Sequence, residues 1–155
     1  MGAMTKLELR TIGVVEGGRD EIFEDGWGAV EARIVLDPEV VGADATVGLD
    51  EFSHLEVLYA FDRASKVRVG TRHPRGNSRW PKVGILADHS PMRPNHLGIS
   101  RCLLLDVDDT TLRVRGLDAL AGSPVLDVKP WYAEFGPLGP VRQPPWTSEL
   151  MGAYW

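Results

Sequence analysis

Alternating and short continuous apolar runs recur along the chain and predict β-structure. Residues 29–36 alternate small or apolar with charged positions, as a half-buried strand does. Residues 55–61 are dense in Leu, Val, Tyr and Phe, which favours a strand buried on both faces. Residues 101–107 and 111–117 flank a polar turn and predict a hairpin. The other predicted strands are residues 7–15, 83–87 and 125–128.

Glycine and proline mark the connections between these strands. Residues 40–47 predict a turn or short helix, and residues 64–81 predict a long basic loop. After residue 131 the glycine and proline content is too high for regular structure, so an extended Pro-rich tail is expected over residues 132–155. Six or seven strands, little helix and no repeat indicate a mainly all-β barrel or sandwich. No GxGxxG follows a predicted strand, so a doubly wound nucleotide-binding fold has no support.

Length and composition predict one domain inside the cell. The 155 residues suit a single domain over 5–155. The opening MGAM is interpreted as an addition ahead of a native start at Met4, so residues 1–4 are left out of the fold prediction. Cys102 is the only cysteine and lies in an apolar run, so a buried structural thiol is predicted. No stretch approaches the roughly 18 apolar residues of a membrane span. We therefore expect a cytoplasmic protein that does not contact a membrane.

The distribution of charge says more than the net charge of −5. Residues 1–62 hold 4 Lys and Arg against 14 Asp and Glu, whereas residues 63–101 hold 9 against 1. Residues 63–101, which we call the basic block, carry a net charge of +8 and can attract an anionic substrate locally even when the whole chain repels it. The alternative is that these charges scatter over opposite faces of the fold.

The stretch over residues 84–98 is the first candidate for chemistry. Two prolines stiffen its backbone, so His89, Arg93 and Asn95 are predicted to be presented in fixed positions. Residues 116–130 form a second stretch that is its partner. On composition alone the alternative for the first stretch is a Pro-rich connecting turn with solvated polar residues.

These two stretches resemble the signature blocks of a known family, the TsaA/TrmO-like (YaeB) family. The resemblance lies in SPMRPNHLGIS at residues 90–100 and GLDALAGSPVLDVKPW at residues 116–131. Shorter matches in the same order are IVLDP at 34–38, GLDEFSHLEVLYAF at 48–61 and HPRG at 73–76. Members are S-adenosylmethionine-dependent methyltransferases, the best known acting on threonylcarbamoyl-adenosine beside the tRNA anticodon. The resemblance implies a small closed or nearly closed β-barrel of six or seven strands, and a homodimer.

The resemblance also implies a cofactor site. A methyl sulfonium donor needs a slot for adenine, acceptors for its ribose hydroxyls and a partner for its carboxylate. Arg75 and Arg93 would supply the forked donors, and Asp118 or Asp127 would accept from ribose or amine. The predicted cofactor-binding residues are Arg75, Leu86, Ala87, Asp88, His89, Arg93, Asn95, Leu117, Asp118, Ser123, Val125, Asp127 and Lys129.

His89 and Asp127 are the predicted catalytic residues, as candidates for the base that takes a proton from the methyl acceptor. For His89 the alternative is a satisfied surface histidine, and for Asp127 a salt bridge to Lys129 at the strand end. Two departures from the family pattern bear on substrate choice. Where the family commonly has ATRSP, this chain has ADHSP at residues 87–91. Where the family commonly has DGTP, this chain has AGSP at residues 121–124.

Metal and hydrolytic chemistry are not expected. The four histidines, at 54, 73, 89 and 96, are spaced by 19, 16 and 7 residues, which matches no common zinc pattern. Ser90 beside a proline has no nucleophile-elbow context. The predicted function is an S-adenosylmethionine-dependent methyltransferase that N-methylates a modified tRNA adenosine or a related small acceptor. The alternative is a non-catalytic S-adenosylmethionine-binding module of the same fold.

Overall fold

The computed structural model describes residues 2–155, which form a closed antiparallel barrel of six strands. The strands are β1 Gly13–Glu16, β2 Glu31–Leu36, β3 His54–Ala60, β4 Leu97–Asp108, β5 Thr111–Arg115 and β6 Pro124–Pro130. Their order around the barrel is β1-β2-β5-β4-β3-β6, and pairing of β1 with β6 closes it. The predicted small β-barrel and the β4–β5 hairpin are confirmed.

Helices are short, and one of them corrects a prediction. Helix α1 spans Pro38–Val41 and is capped by Asp37, whose carboxylate accepts from the Glu39 amide at 2.9 Å. Helix α2 spans Pro145–Met151 in the tail that was expected to lack regular structure. The prediction was wrong because a proline in the first helical turn loses no hydrogen bond there. No helix within residues 2–155 is long and apolar enough to cross a bilayer.

Several one-turn 3₁₀ helices complete the secondary structure. They are Leu49–Glu51, Pro74–Gly76, Ile85–Ala87, Pro94–His96 and Ala133–Phe135.

Two predicted strands are absent or shorter in the structure. Residues 83–87 form one isolated bridge, from Val83 to Arg72, and then the 3₁₀ turn Ile85–Ala87. A closed barrel offers no free edge on which this apolar run could pair. The strand predicted over 7–15 begins only at Gly13, where pairing with β2 and β6 starts.

The core lies inside the barrel and is built by alternation. On β3, Leu55, Val57 and Tyr59 point inward and are at most 3% exposed, while the residues between them are only partly covered. The expectation that this strand is buried on both faces was therefore wrong, because only one face points into the barrel and the other is on the outside, partly exposed. Cys102 is buried as predicted, and burial raises the pKa of its thiol to about 12. The other buried apolar residues of this core are Val15, Ala32, Ile34, Leu36, Leu112, Val114, Leu117, Ala119 and Val125.

Three connections meet at one end of the barrel, which we call the site end. They are residues 17–30 between β1 and β2, 61–96 between β3 and β4, and 116–123 between β5 and β6. Antiparallel pairing around a closed barrel sends these three connections to the same side. The two family-like stretches are therefore brought together there.

Gly98 on β4 provides a test of this packing. A Cβ placed on Gly98 would lie 2.5 Å from Cζ of the Tyr59 ring, so alanine must displace that buried ring. We expect Gly98→Ala to lower the free energy of unfolding by about 1–3 kcal/mol in urea denaturation.

Gly84→Ala is the matched control. Gly84 has φ of −72°, and its Cβ would meet nothing within 4 Å. A change of at most about 0.5 kcal/mol is expected there. Equal stability of the two variants would contradict the described contact between Gly98 and Tyr59.

Candidate functional site

An arginine ties two of the site-end connections together. The Arg63 guanidinium donates to the Asp20 carbonyl at 2.6 Å and to the Ala121 carbonyl at 3.0 Å. The first carbonyl belongs to residues 17–30 and the second to residues 116–123. A planar fork with several donors suits two acceptors on different segments. Arg63 therefore contributes to the position of both connections.

A second arginine folds residues 17–30 on themselves. Arg19 donates to the carbonyls of Asp25 at 2.6 Å and Gly26 at 2.7 Å. Its guanidinium also lies over the Trp27 ring, 4.7 Å from the centroid. This segment has no strand or helix, so these contacts supply the partners that a ladder would otherwise give its carbonyls.

Asp118, in the connection over residues 116–123, is at the centre of a polar cluster. The Tyr59 hydroxyl donates to the Asp118 carbonyl at 3.0 Å and approaches Oδ1 at 3.4 Å. The Tyr154 hydroxyl donates to Oδ2 of the same carboxylate. Burial, and then the charge of Asp118, raise the pKa of both tyrosines well above the ordinary value. Both phenols therefore remain donors at neutral pH.

Arg75 lies beside this cluster with its charge balanced. Its guanidinium contacts Oε2 of Glu24 at 3.5 Å and Oδ1 of Asp25 at 3.0 Å. The backbone of Arg75 is left-handed, with φ of 52°, in the 3₁₀ turn that follows His73. A non-glycine residue in this region is uncommon and is often found at functional sites.

A buried ion pair holds the Pro-rich stretch. Nη1 of Arg68 lies 3.1 Å from Oδ2 of Asp88, and the two side chains are only 4% and 11% exposed. Oδ1 of Asp88 accepts from the His89 amide at 2.8 Å, and its carbonyl accepts from Arg93 at 2.7 Å. The Arg68 amide donates to the Met92 carbonyl at 2.7 Å. Arg68 was counted only as part of the basic block, because nothing local in the sequence marks it as buried.

The other predicted residues of this stretch are open to solvent. Leu86 is 81% exposed, and Ala87, His89 and Asn95 are exposed as well. Asn95 has φ of 65°, a conformation that asparagine tolerates better than most residues. These side chains and the main chain around them can be reached by a ligand.

Three predicted cofactor residues of the second stretch point into the protein. Leu117, Ser123 and Val125 are 1%, 5% and 0% exposed. Leu117 and Val125 belong to the barrel core, so they can reach a ligand only through their main chain.

Asp127 and Lys129 lie on β6 rather than on a site-end connection, with their side chains on its outer face. They form an ion pair of 3.2 Å, with side chains 45% and 61% exposed. Oδ1 of Asp127 also accepts from the Val128 amide at 2.9 Å. The ion pair that the sequence left as an alternative is present.

The basic block divides into engaged and open side chains. Arg63, Arg68 and Arg75 bind within the protein as described, and Arg101 pairs with Glu56 at 2.9 Å. The exposed members of the block outside these contacts are Lys66, Arg72, Arg79 and Lys82. Across residues 2–155, no group of three or more His, Cys, Asp or Glu could hold a metal ion.

Comparison with known proteins identifies the family of this chain. Residues 24–136 match the family model of the tRNA-methyltransferase O N-terminal domain. The chain belongs to this family. The matched range includes both motif stretches and all of the predicted site residues, and it ends before helix α2.

The chain's coverage of its curated relatives varies widely. It is 38% identical over 138 residues to a probable S-adenosyl-L-methionine-binding protein of Methanothermobacter thermautotrophicus. That alignment covers 86% of this chain and 96% of the relative. It is 39% identical over 97 residues to the tRNA (adenine(37)-N6)-methyltransferase of Escherichia coli, covering 57% of this chain and 40% of that enzyme. The human protein of the same description is 32% identical over 74% of this chain, which spans only 25% of the human sequence.

Solved structures share the fold. TrmO from Pseudomonas aeruginosa superposes with a TM-score of 0.72 at 25% identity, over 89% of this chain and 62% of that one.

Proposed function

We propose that this chain is an S-adenosylmethionine-dependent methyltransferase that N-methylates a modified adenosine in tRNA. The observation that carries this proposal is the family match over residues 24–136, whose two motif stretches meet at the site end. The curated names of relatives, a cofactor-binding protein and tRNA adenine methyltransferases, point in the same direction. Work on tRNA would place the protein in the cytoplasm.

The residues of the site end have the chemistry that this cofactor requires. Asp118 offers a half-buried carboxylate for ribose hydroxyls or an amine, and Arg93 has donors beyond its one bond to Asp88. Leu86 presents an exposed apolar side chain beside open main-chain groups for adenine. Arg75 is the weaker candidate for the carboxylate of the ligand, because Glu24 and Asp25 already balance its charge.

The cofactor supplies an electrophilic methyl group when bound, and the protein supplies position and proton transfer. Holding an amide-like nitrogen in line with that methyl group can contribute about 7 to 11 kcal/mol. In this reaction the N–C bond would form as the bond from the methyl group to the sulfonium sulfur breaks, leaving a thioether, and the nitrogen would release its proton to a base. We favour His89 over Asp127 as this base, because His89 lies with the site-end connections and Asp127 lies on the outer face of β6.

A substrate phosphate backbone would meet the open part of the basic block. Arg72 and Val83 form a bridge, so residues 72–83 make a closed loop that carries the exposed side chains of Arg79 and Lys82. Exposed cations outside internal ion pairs can contact phosphates without breaking those pairs.

A second candidate function is favoured by two substitutions in the motifs. His89 replaces the usual arginine, and Ala121 replaces an acid. A chain that kept the cofactor site and lost the acceptor site would be a non-catalytic binding module. Methyl transfer to tRNA from a strain that lacks the modification distinguishes the two candidates.

S-adenosylmethionine should bind to the wild-type chain, and Arg93→Ala should weaken binding by about 1–3 kcal/mol in calorimetry. This is the usual cost of leaving a charged hydrogen-bond partner unpaired. Arg33→Ala is the control, since Arg33 is 59% exposed and pairs with Glu16 on the barrel wall. An unchanged affinity in Arg93→Ala would move Arg93 to a structural role.

Methyl transfer to tRNA should fall steeply between roughly 50 and 200 mM salt, because several phosphate contacts release counterions together. The double variant Arg79→Ala/Lys82→Ala should weaken tRNA binding and flatten this salt dependence, with cofactor affinity unchanged. Arg113→Ala, on the outer face of β5 beside Glu31, is the matched control. A flat response in the wild type would exclude tRNA and leave a small acceptor.

We also propose that the protein is a homodimer. The apolar side chains near the C-terminus offer little free surface for this, since Trp146 packs against Trp80 with 6.3 Å between ring centroids. A better surface is the outer face of β4, where Leu97, Ile99 and Leu103 are 39%, 53% and 38% exposed. Arg101 lies between Ile99 and Leu103 on this face, with its charge balanced by Glu56 at 2.9 Å, and an exposed apolar stripe of this kind is typical of a covered surface.

Sedimentation should therefore give twice the mass of the 17.1 kDa chain at micromolar concentration. Ile99→Glu should yield monomer, because burying unpaired like charges across a two-fold axis is costly. Leu138→Glu, at a residue 97% exposed outside the stripe, should leave the dimer intact. A wild-type mass of one chain would refute the proposal.

A further inference from the structure

The last residues of the chain dock on the site end. We call residues 145–155 the C-terminal strap. The amide of Gly26 donates to the carbonyl of Ala153 at 2.9 Å, and the amide of Trp27 donates to that of Tyr154 at 2.7 Å. The strap thus adds two backbone hydrogen bonds to the irregular segment over residues 17–30.

Side-chain contacts hold the strap at further points. Trp155 lies against Gly28, where an added Cβ would be 2.7 Å from the Trp155 carbonyl carbon. The Trp80 indole donates to Oε2 of Glu149 at 2.8 Å and its ring packs against Trp146. These contacts lie on different segments, so the strap is part of the folded site end rather than a loose tail.

The strap also reaches the carboxylate proposed to bind a ligand. Tyr154 donates to Oδ2 of Asp118, while Tyr59 contacts Oδ1 and the carbonyl of the same residue. A carboxylate has about four acceptor positions, so these two phenols leave others available. Two donors on opposite oxygens fix the direction in which the remaining positions point.

We propose that Tyr154 is a positioning residue of the active site, which holds the Asp118 carboxylate in the orientation that accepts from a hydroxyl or amine group of a nucleoside ligand. The inference rests on the proposed function. The family match ends at residue 136, so the strap lies outside the matched domain. In this proposal the strap supplies a group that the barrel itself does not contain.

Tyr154→Phe is the direct test, because it keeps the ring that packs edge-on against Trp155 at 4.8 Å and removes only the hydroxyl. The dissociation constant for S-adenosylmethionine, measured by calorimetry, should rise about tenfold, the lower range for a hydrogen bond to a charged group. Tyr132→Phe is the control, since Tyr132 is 46% exposed and stacks between Phe52 and Phe135 at the other end of the barrel.

Two measurements without cofactor separate positioning from loss of the strap. Hydrogen exchange at the Gly26 and Trp27 amides should stay within about twofold in Tyr154→Phe, since the strap remains docked. The free energy of unfolding should also fall less steeply above pH 10.0 in Tyr154→Phe than in the wild type. The folded pKa of Tyr154 is raised above its ordinary 10.0, so its stabilising effect is complete below pH 10.0 and is lost as pH rises above it.

The double variant Tyr154→Phe/Asp118→Asn should bind the cofactor no more weakly than Asp118→Asn alone, because the hydroxyl acts only through the carboxylate. An affinity of Tyr154→Phe within about twofold of wild type would overturn the proposal. Tighter binding would overturn it too, and would mean that the phenol competes with the ligand for Asp118. No binding by the wild-type chain would refute the proposed function and this inference together.

Discussion

Closure of the barrel by pairing of β1 with β6 is the constraint on which the rest of the structure depends. A closed sheet has no free edge, so every further segment must be held by something other than a strand ladder. Closure also directs the connections 17–30, 61–96 and 116–123 to one end. The candidate site is consequently built from irregular backbone on a rigid barrel. In such an arrangement the loops carry the reactive side chains and the barrel holds the loops in position.

At that end, arginine side chains supply hydrogen bonds and ion pairs to connections that have no strand partner. Arg63 and Arg19 donate to main-chain carbonyls, and Arg68 pairs with Asp88 below the Pro-rich stretch. Breaking a buried pair of this kind leaves an uncompensated charge, at about 3–5 kcal/mol. Much of the basic block thus serves the fold, and only its open members are free to meet an anionic substrate. The charge count alone could not separate these two uses.

Family membership and local geometry answer different questions about this site. The match over 24–136 identifies the domain, and similar curated proteins are named for the cofactor or for tRNA. The geometry shows which groups are available: Asp118 lies between two phenols, Arg75 is balanced by acids, and Leu86 is open. His89 and Ala121 stand where the family motifs commonly have an arginine and an acid.

The sequence by itself determined much of the barrel, because alternation and turn residues act between near neighbours. Residues 29–36 and the hairpin at 101–117 were identified in this way, whereas the two motif blocks were identified by their resemblance to a known family. Tertiary structure decided what depends on distant contacts. Residues 83–87 form no strand because closure leaves no edge, and Arg68 is buried because Asp88 lies 3.1 Å away. The tail forms a strap because Tyr154 meets a carboxylate 36 residues earlier, a contact that no local pattern encodes.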